Sequence, residues 1–226
     1  MHGFFVTSSG TEIGKTWVMR CLIAALRARP MNVRAIKPLI SGWVDTSPQD
    51  SDTAHILEAL DQPITDASID TVSPWRFAAA LSPDMAAQRE GRSIDFGALT
   101  SFCRNAATDG DEVLLIEGVG GVMVPLNDTH TVLDWIRALE LPAILVVGSY
   151  LGTISHTLTS YAALRAHNVP VPLVVVNDTG DAPVPLQETR ATLTRFMPTT
   201  TILTLPRRND GLINGPDGAR LANELI

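Results

Sequence analysis

The sequence predicts a three-layer α/β fold, in which a mostly parallel central sheet is covered by helices on both faces. Short runs of Val, Ile and Leu alternate with stretches of helical periodicity, as buried parallel strands and their connecting helices do. The first apolar run, 3–7, leads through a glycine-bearing loop into a helical stretch. Polar residues follow several later runs, at the edge where parallel sheets bind ligands.

The same patterns place the elements in order. Strands are predicted at 3–7, 33–39, 112–116, 143–147, 172–176 and 201–205. Helices are predicted at 15–28, 52–60, 83–89, 96–107, 132–139, 154–167, 186–196 and from 217 onward. Pro30 ends the first helix, because proline has no amide proton for a helical hydrogen bond. The stretch 62–82 is mixed and rich in proline, and the helices at 83–89 and 96–107 are predicted to be an excursion between strands rather than a second domain.

Length and composition indicate one globular domain over residues 1–226. Hydrophobic residues make up 45% of the chain and the mean hydropathy is +0.15, which is typical of a folded core. The net charge of −7 and the presence of only two lysines, Lys15 and Lys37, argue against a nucleic-acid surface. No apolar run approaches the ~20 residues of a membrane span, and no basic leader is visible. We therefore expect a cytoplasmic protein that binds neither nucleic acid nor membrane.

The loop after the first strand reads Ser8-Ser9-Gly10-Thr11-Glu12-Ile13-Gly14-Lys15-Thr16. Gly-Lys-Thr at a helix start is typical of a phosphate-binding loop, where free amides and the helix dipole attract an anion. Lys15 would neutralise terminal phosphates, and the Thr16 hydroxyl can bind Mg²⁺. Ser9 stands where the common loop has glycine, so a plain helix start is the alternative. Nucleotide contacts are expected from Glu12, Ile13, Gly14, Lys15, Thr16 and Trp17.

Two acidic residues are candidate magnesium ligands. Glu117 ends the apolar run 113–116, where a metal contact belongs in such folds, and glycines at 118, 120 and 121 allow close backbone approach. Asp52 begins a helix after the second strand, and its alternative role is that of a helix cap. The expected metal set is Thr16, Asp52 and Glu117, and Gly118, Val119 and Gly120 are expected at the nucleotide.

Three further polar residues lie at predicted strand ends or turns. Lys37 ends a buried strand, where it either reaches the crevice or keeps its charge in water as a surface lysine. Beside a phosphate loop it would stabilise charge that develops during phosphoryl transfer. Ser41 lies in a small turn that suits a substrate. Asn177 could bind adenine through its amide, or form a turn with Asp178.

Taken together and in order, these motifs resemble the dethiobiotin synthetase family over almost the whole chain. The matching segments are Ser8 to Thr16, Lys37-Pro38-Leu39-Ile40-Ser41-Gly42, Ser51-Asp52, Ser82-Pro83, Glu90-Gly91, Ile116-Glu117-Gly118-Val119-Gly120-Gly121, Pro125-Leu126, Leu151-Gly152-Thr153-Ile154-Ser155-His156 and Asn177-Asp178. Four positions depart from the family pattern. Ser8 replaces a loop glycine, Ser155 replaces an asparagine, Asp84 stands where histidine is common, and Thr189 stands where some members have tyrosine.

The resemblance implies a cytoplasmic homodimer with a P-loop NTPase fold. It implies use of ATP, Mg²⁺ and CO₂ (or bicarbonate) to close a ureido ring on 7,8-diaminononanoate, through a carbamate and a carbamic-phosphoric anhydride. At the matched positions, Lys15 and Lys37 would be catalytic, and Thr16, Asp52 and Glu117 would hold the metal. Substrate contacts would come from Thr11, Ser41, Gly152, Ile154 and Ser155, and adenine contacts from Asn177, Asp178, Pro206, Arg207 and Arg208.

Two other functions are compatible with this fold class. A ligase of the cobyrinic acid diamide synthase type would carry an attached glutaminase domain, for which the length leaves no room. A partition or positioning ATPase would have an additional lysine early in the loop, where Gly10 stands, and basic or amphipathic surfaces. Both alternatives are therefore less favoured than the synthetase.

Overall fold

The computed structural model describes residues 2–107, 110–207, 213 and 215–226. Within them, the main sheet contains β1 (His2–Ser8), β2 (Val33–Ile36), β5 (Val113–Glu117), β6 (Ala143–Val147), β7 (Leu173–Asn177) and β8 (Thr201–Leu205), and β3 (Leu39–Ser41) pairs with β4 (Trp75–Phe77). The helices are α1 (Lys15–Arg27), α2 (Asp52–Ala59), α3 (Asp66–Val72), α4 (Pro83–Arg89), α5 (Phe96–Arg104), α6 (Val132–Leu139), α7 (Thr153–Ala166), α8 (Leu186–Phe196) and α9 (Pro216–Asn223). The predicted α/β fold with a parallel sheet is confirmed.

The strand order β2-β5-β1-β6-β7-β8 places β1 between β5 and β6, and every pair in this sheet is parallel. In this register Val6 is opposite Glu117, and Ser8 is opposite Val146. Because the strands run in one direction, their carboxyl ends meet at one edge of the sheet. The phosphate loop, which follows β1, therefore lies beside the end of β5.

Buried side chains cover both faces of the sheet. On one face Phe5 packs edge-on against Trp135 of α6, with ring centroids 4.9 Å apart. On the other face Phe4 and Val6 join the cluster that contains Leu22 of α1. Alternation of strand side chains between the faces gives each helical layer its own core. This arrangement explains why the central strands are apolar at nearly every position.

The second strand is shorter than its sequence pattern predicts. The prediction of one strand over 33–39 is wrong beyond Ile36, because Pro38 cannot donate a ladder hydrogen bond. The chain turns out of the main sheet there, and the Ser73 hydroxyl donates to the Lys37 carbonyl at 2.6 Å. Residues 39–41 pair instead with Trp75–Phe77, a strand inside the proline-rich stretch 62–82, where no strand was predicted. This break takes Ser41 out of the main sheet and into the two-stranded one.

Among the helices of the described residues, none combines the length and the apolar character that crossing a bilayer requires.

Candidate active site

A cleft of about 660 Å³ opens at the carboxyl edge of the sheet, above β1 and β5. The phosphate loop contributes Thr11, Glu12, Gly14, Lys15 and Thr16 to its lining. The other lining residues are Lys37, Ser41 and Asp52, Glu117 at the end of β5, Val119, Gly120 and Val124 from the segment after β5, and Ala80, Leu81, Ser82 and Pro83. The five side chains on which the sequence hypothesis depends, Lys15, Thr16, Lys37, Asp52 and Glu117, therefore share one cavity.

The phosphate loop enters α1 through a left-handed residue. Gly14 has φ 92° and ψ 30°, and any Cβ there would lie 2.3 Å from Nδ2 of Asn177. Only glycine fits this position. No side chain caps the start of α1, so its first backbone amides can bind an anion. Asn177 is buried at the end of β7 and donates to the Ile13 carbonyl at 2.9 Å, so its amide supports the loop.

Lys15 is almost fully buried at the start of α1, with 7% of its surface exposed. Its Nζ lies 3.2 Å from Ser8 Oγ and 3.5 Å from the Gly10 carbonyl, and within the described chain it has no other hydrogen bond. Burial, together with the charge of Lys37, lowers the pKa of Lys15 from 10.5 to about 8. A desolvated ammonium group without a carboxylate hydrogen bond is well suited to pair with a phosphate.

Lys37 joins the two acidic residues. Its Nζ donates to Glu117 Oε1 at 2.8 Å and forms a very short contact with Asp52 Oδ2. The Thr16 hydroxyl donates to the same Glu117 oxygen at 2.8 Å. Burial alone would lower the pKa of Lys37, but the two carboxylates raise it. Burial would likewise raise the pKa of Asp52, but the charge of Lys37 and hydrogen bonds from Lys37 and Thr16 lower it. Both side chains are therefore held in their charged forms.

The oxygen atoms in this cluster fit a magnesium ion. Glu117 is fully buried, and its Oε2 has no hydrogen-bond partner among the described residues. Two carboxylates and a hydroxyl are hard oxygen donors, and Mg²⁺ in nucleotide sites commonly uses only one or two carboxylates. Across the described chain no group of three or more His, Cys, Asp or Glu side chains forms an all-protein metal cage. Thr16, Asp52 and Glu117 could thus hold Mg²⁺ together with phosphate oxygens.

The turn after β5 packs directly on the phosphate loop. A Cβ at Gly121 would lie 3.2 Å from the Gly10 amide nitrogen, so a side chain there would push the two segments apart. Val119 and Gly120 line the cleft, whereas the Gly118 amide donates to the Val6 carbonyl at 2.9 Å. Close packing therefore accounts for part of the glycine run.

The other predicted site residues are dispersed. Trp17 follows Thr16 on α1 but does not line the cleft in the part that the structure describes, where Arg20 stacks over its ring. Asp178 accepts a hydrogen bond from the Gly180 amide at 2.9 Å, and Pro206 and Arg207 are exposed. Arg208 lies outside the described residues.

The residues predicted to contact the substrate fall into two groups. Thr11 and Ser41 line the cleft, whereas Gly152, Ile154 and Ser155, at the start of α7, are not among its described lining residues. The first turn of α7 instead borders a shallower hollow of about 510 Å³, between the outer side of the phosphate loop and the pair Tyr150–His156. The sequence reasoning missed the lining residues Ala80, Leu81 and Val124, and it noted Ser8 only as a departure. In the sequence, the family motif Ser82-Pro83, which directly follows Ala80 and Leu81, was the feature that could have pointed to them.

The strand, loop and helix with Gly14, Lys15 and Thr16 place the chain among the P-loop nucleotide-binding proteins. The AAA-domain family matches residues 2–211. Similar solved structures include the cell division ATPase MinD of Pyrococcus furiosus (TM-score 0.59, 14% identity, 99% of this chain and 98% of that chain) and a ParA family ATPase of Chlorobium tepidum TLS (TM-score 0.54, 16% identity, 99% and 95%). At such low identity these two support the fold alone.

Much more similar sequences carry one name, ATP-dependent dethiobiotin synthetase BioD. The protein of Methylobacterium nodulans is 50% identical over 190 residues, which cover 82% of this chain and 84% of the relative. That of Acidiphilium cryptum is 46% identical over 198 residues (87% and 89%), and that of Caulobacter sp. strain K31 is 44% identical over 228 residues (100% and 95%). The chain belongs to the ATP-dependent dethiobiotin synthetase family, a family of ligases in biotin biosynthesis. The resemblance stated from the motifs is thereby confirmed.

Proposed function

We propose that this chain is the ligase that forms dethiobiotin from 7,8-diaminononanoate and CO₂, with ATP and Mg²⁺. The observation that carries the proposal is the convergence of Lys15, Thr16, Lys37, Asp52 and Glu117 on one cleft at the start of α1. Family membership supports the reaction, and the cluster supports its phosphoryl-transfer step. The cleft contains neither a nucleophilic triad nor a paired general acid and base among its described lining residues. This agrees with a reaction that needs positioning and charge neutralisation.

The proposed reaction has three steps. One amine of the substrate adds to CO₂ and loses a proton, which gives a carbamate. A carbamate oxygen then attacks the γ-phosphorus of ATP, ADP leaves, and a carbamic-phosphoric anhydride forms. The second amine attacks the carbamoyl carbon and loses a proton, the ureido ring closes, and phosphate departs. Each step creates or moves negative charge on oxygen, so the protein's task is to hold cations and donors where that charge develops.

Lys15 and Lys37 have different parts in this scheme. Lys15, at the start of α1, would bind the terminal phosphates of the nucleotide together with the free amides of the helix. Lys37 lies deeper, between Asp52 and Glu117, and would meet the charge that passes from the carbamate to the transferring phosphoryl group. Lys15 therefore acts in binding and catalysis, and Lys37 mainly in catalysis.

Thr16, Asp52 and Glu117 would hold Mg²⁺. Bound there, the metal would neutralise the charge of the β- and γ-phosphates. The fully buried Oε2 of Glu117, which has no hydrogen-bond partner in the part of the chain that the structure describes, supports this role, because a buried carboxylate oxygen without a donor or cation is costly. The adenine end would be contacted by Asn177, Asp178 and the segment Pro206 to Arg208. For Asn177, the hydrogen bond from Nδ2 to the Ile13 carbonyl leaves Oδ1 and the second amide N–H available.

The substrate would lie between the phosphate loop and the apolar side of the cleft. Thr11 and Ser41 line the polar side of this space, and Ala80, Leu81 and Val124 line a side suited to a hydrocarbon chain. We further propose that Gly152, Ile154 and Ser155 serve a substrate bound to a second copy, in a cytoplasmic homodimer. Their position outside the described lining of the chain's own cleft favours this assignment.

The direct test is phosphate release from MgATP, measured with diaminononanoate and bicarbonate both present, and with each omitted in turn. We expect phosphate release to require both compounds. The amount of phosphate should equal the amount of dethiobiotin, which is measured by mass spectrometry. Phosphate release that proceeds equally well without the diamine would reject the proposed reaction.

A further inference from the structure

We propose that Ser8 is a positioning residue whose buried hydroxyl holds the ammonium group of Lys15 in place for the nucleotide. Ser8 is the last residue of β1 and is fully buried, directly beneath the phosphate loop. The inference rests on the proposed function, because it takes Lys15 as the side chain that meets the terminal phosphates. It concerns a hydroxyl that a glycine at this position would lack.

The backbone around Ser8 is fixed on both sides. Ser8 is paired with Val146 of β6, and the next amide, that of Ser9, donates to the Val146 carbonyl at 3.1 Å. On the other side the Val122 amide donates to the Ser8 carbonyl, also at 3.1 Å. These bonds hold the Ser8 Cα between β6 and the turn after β5. The direction of its short side chain is therefore set by the sheet rather than by the loop.

Three polar groups surround the Ser8 hydroxyl. Its Oγ lies 2.5 Å from the Gly10 carbonyl, 2.9 Å from the Gly120 carbonyl and 3.2 Å from Lys15 Nζ. A serine hydroxyl has one proton to donate and lone pairs with which to accept. It can therefore donate to one carbonyl at a time while it accepts a hydrogen bond from Lys15. The same atom links the phosphate loop, the glycine turn after β5 and the loop lysine.

Removal of this hydroxyl would leave Lys15 poorly held. Its remaining hydrogen bond within the described residues would be the one to the Gly10 carbonyl, at 3.5 Å, the outer limit for such a bond. A buried ammonium group needs acceptors, and those it has determine where its other N–H bonds point. With two N–H bonds directed to Ser8 and Gly10 on the loop side, the third N–H bond of Lys15 is left for the cleft that it lines. Ser8 thereby prepares Lys15 for a phosphate.

The test is a double-mutant cycle between Ser8→Ala and Lys15→Met, read as the Kd of an ATP analogue with a methylene β–γ bridge. Ser8→Ala is expected to raise this Kd about tenfold when Lys15 is present, the usual scale for a hydrogen bond to a charged group. In the Lys15→Met background the same substitution is expected to change the Kd less than about twofold. Equal losses in the two backgrounds, or no loss in the first, would overturn the proposal.

Thr7→Val is the matched control. Thr7 precedes Ser8 on β1, is fully buried, and its hydroxyl has no hydrogen-bond partner among the described residues. The change removes a buried hydroxyl with little change of shape, and it is expected to leave the Kd within about twofold. A loss in Thr7→Val as large as that in Ser8→Ala would show a general disturbance of β1 and contradict a specific role for Ser8.

A second readout covers the case in which Lys15→Met binds the analogue too weakly to measure. The same cycle is then run on the free energy of unfolding without nucleotide, and Ser8→Ala is expected to cost more stability when Lys15 is present. Additive costs would overturn the proposal. Neither assay contains the diamine or bicarbonate, so failure here is distinct from failure of the proposed ring closure.

Discussion

The charged lining of the cleft and the apolar surface near it differ in how many of their contacts a single chain provides. On the phosphate side Lys15, Lys37 and Glu117 are buried and joined by hydrogen bonds to Ser8, Thr16 and Asp52. Among apolar side chains outside the described lining, Met123, next to the lining residue Val124, is 58% exposed, and Leu151, beside the separate hollow that α7 borders, is 86% exposed. Preorganised charges cost nothing to arrange at the moment of reaction. Exposed apolar side chains gain energy only when a ligand or another chain covers them. A single chain therefore assembles the charged lining of the cleft by itself, whereas apolar side chains nearby stay open to solvent.

The largest expected effect comes from the most buried cation. Lys37→Ala should lower turnover by ~10²–10³ while the Kd of an ATP analogue stays nearly unchanged, because Lys37 is proposed to meet charge formed during transfer. Steady-state dethiobiotin formation and calorimetric titration measure the two quantities. Arg34→Ala is the control: Arg34 is a cation on β2 that donates to the Thr71 carbonyl, outside the described lining of the cleft. Normal turnover in Lys37→Ala would contradict the role of Lys37.

Metal binding without nucleotide compares Lys37, which is hydrogen-bonded to both carboxylates, with Lys15, which is bonded to neither in the described chain. Lys37→Met should strengthen Mn²⁺ binding roughly tenfold, because the ammonium group no longer competes for Asp52 and Glu117. Electron paramagnetic resonance of free Mn²⁺ gives the Kd. Lys15→Met removes a neighbouring charge that has no hydrogen bond to either carboxylate in the described chain, and it should give a smaller gain. If Mn²⁺ affinity rises equally in Lys37→Met and Lys15→Met, the hydrogen bonds of Lys37 to the two carboxylates do not control metal binding.

The depressed pKa of Lys15 predicts a pH effect. Above about 8 the free protein loses the Lys15 proton, whereas a bound triphosphate holds it. The Kd of the ATP analogue should therefore rise with pH above about 8, by at most about tenfold per pH unit, with proton uptake on binding. Calorimetry in buffers of different ionisation enthalpy detects that proton. Lys15→Met should abolish this part of the pH dependence, and an unchanged slope would refute the assignment to Lys15.

The same shift has a defined sign for stability. The unfolded chain keeps the Lys15 proton up to about 10.5, and the folded chain loses it near 8. The unfolded state therefore binds more protons between these values, and the contribution of Lys15 to the free energy of unfolding rises with pH across that window. As pH falls toward 8 this contribution is lost. Urea unfolding of the parent and of Lys15→Met at several pH values compares the two curves.

The smallest effect is expected at Leu151, an apolar side chain that is open to solvent. Leu151→Ser should change the free energy of unfolding of the monomer by less than about 0.5 kcal/mol, because the side chain is already 86% exposed. It should also leave the Kd of the ATP analogue within about twofold. Thermal unfolding at low protein concentration measures the first quantity. A large loss in the free energy of unfolding would show that Leu151 packs against other residues within the monomer, which would contradict its exposure.

Much of the fold was predictable because the signals are local. Apolar runs at 143–147 and 201–205 predicted strands whose bounds are confirmed, as are the helices at 132–139 and 186–196. The break after Ile36 was missed. Beyond it, β3 pairs with Trp75–Phe77, which lies in a stretch without a regular local pattern. Pairing between distant segments depends on three-dimensional contact, which one-dimensional periodicity does not record.

The candidate site shows the same division. Gly14, Lys15 and Thr16 are recognisable from the motif, and Lys37, Asp52 and Glu117 from their positions at strand and helix ends, so their gathering at one edge could be predicted. The hydrogen-bond partners could not be predicted. That Lys37 joins both carboxylates, that Asn177 supports the Ile13 carbonyl, and that Ser8 holds Lys15 follow from distances.

The sequence alone determined the fold class, the phosphate loop and the family, because apolar periodicity and residue type at strand ends are written along the chain. Only the tertiary structure decided which oxygen each cation contacts and which apolar side chains stay open to solvent. Those depend on strand register and on turns such as the one at Pro38, where a difference of a few ångströms separates a buried ion pair from an exposed lysine.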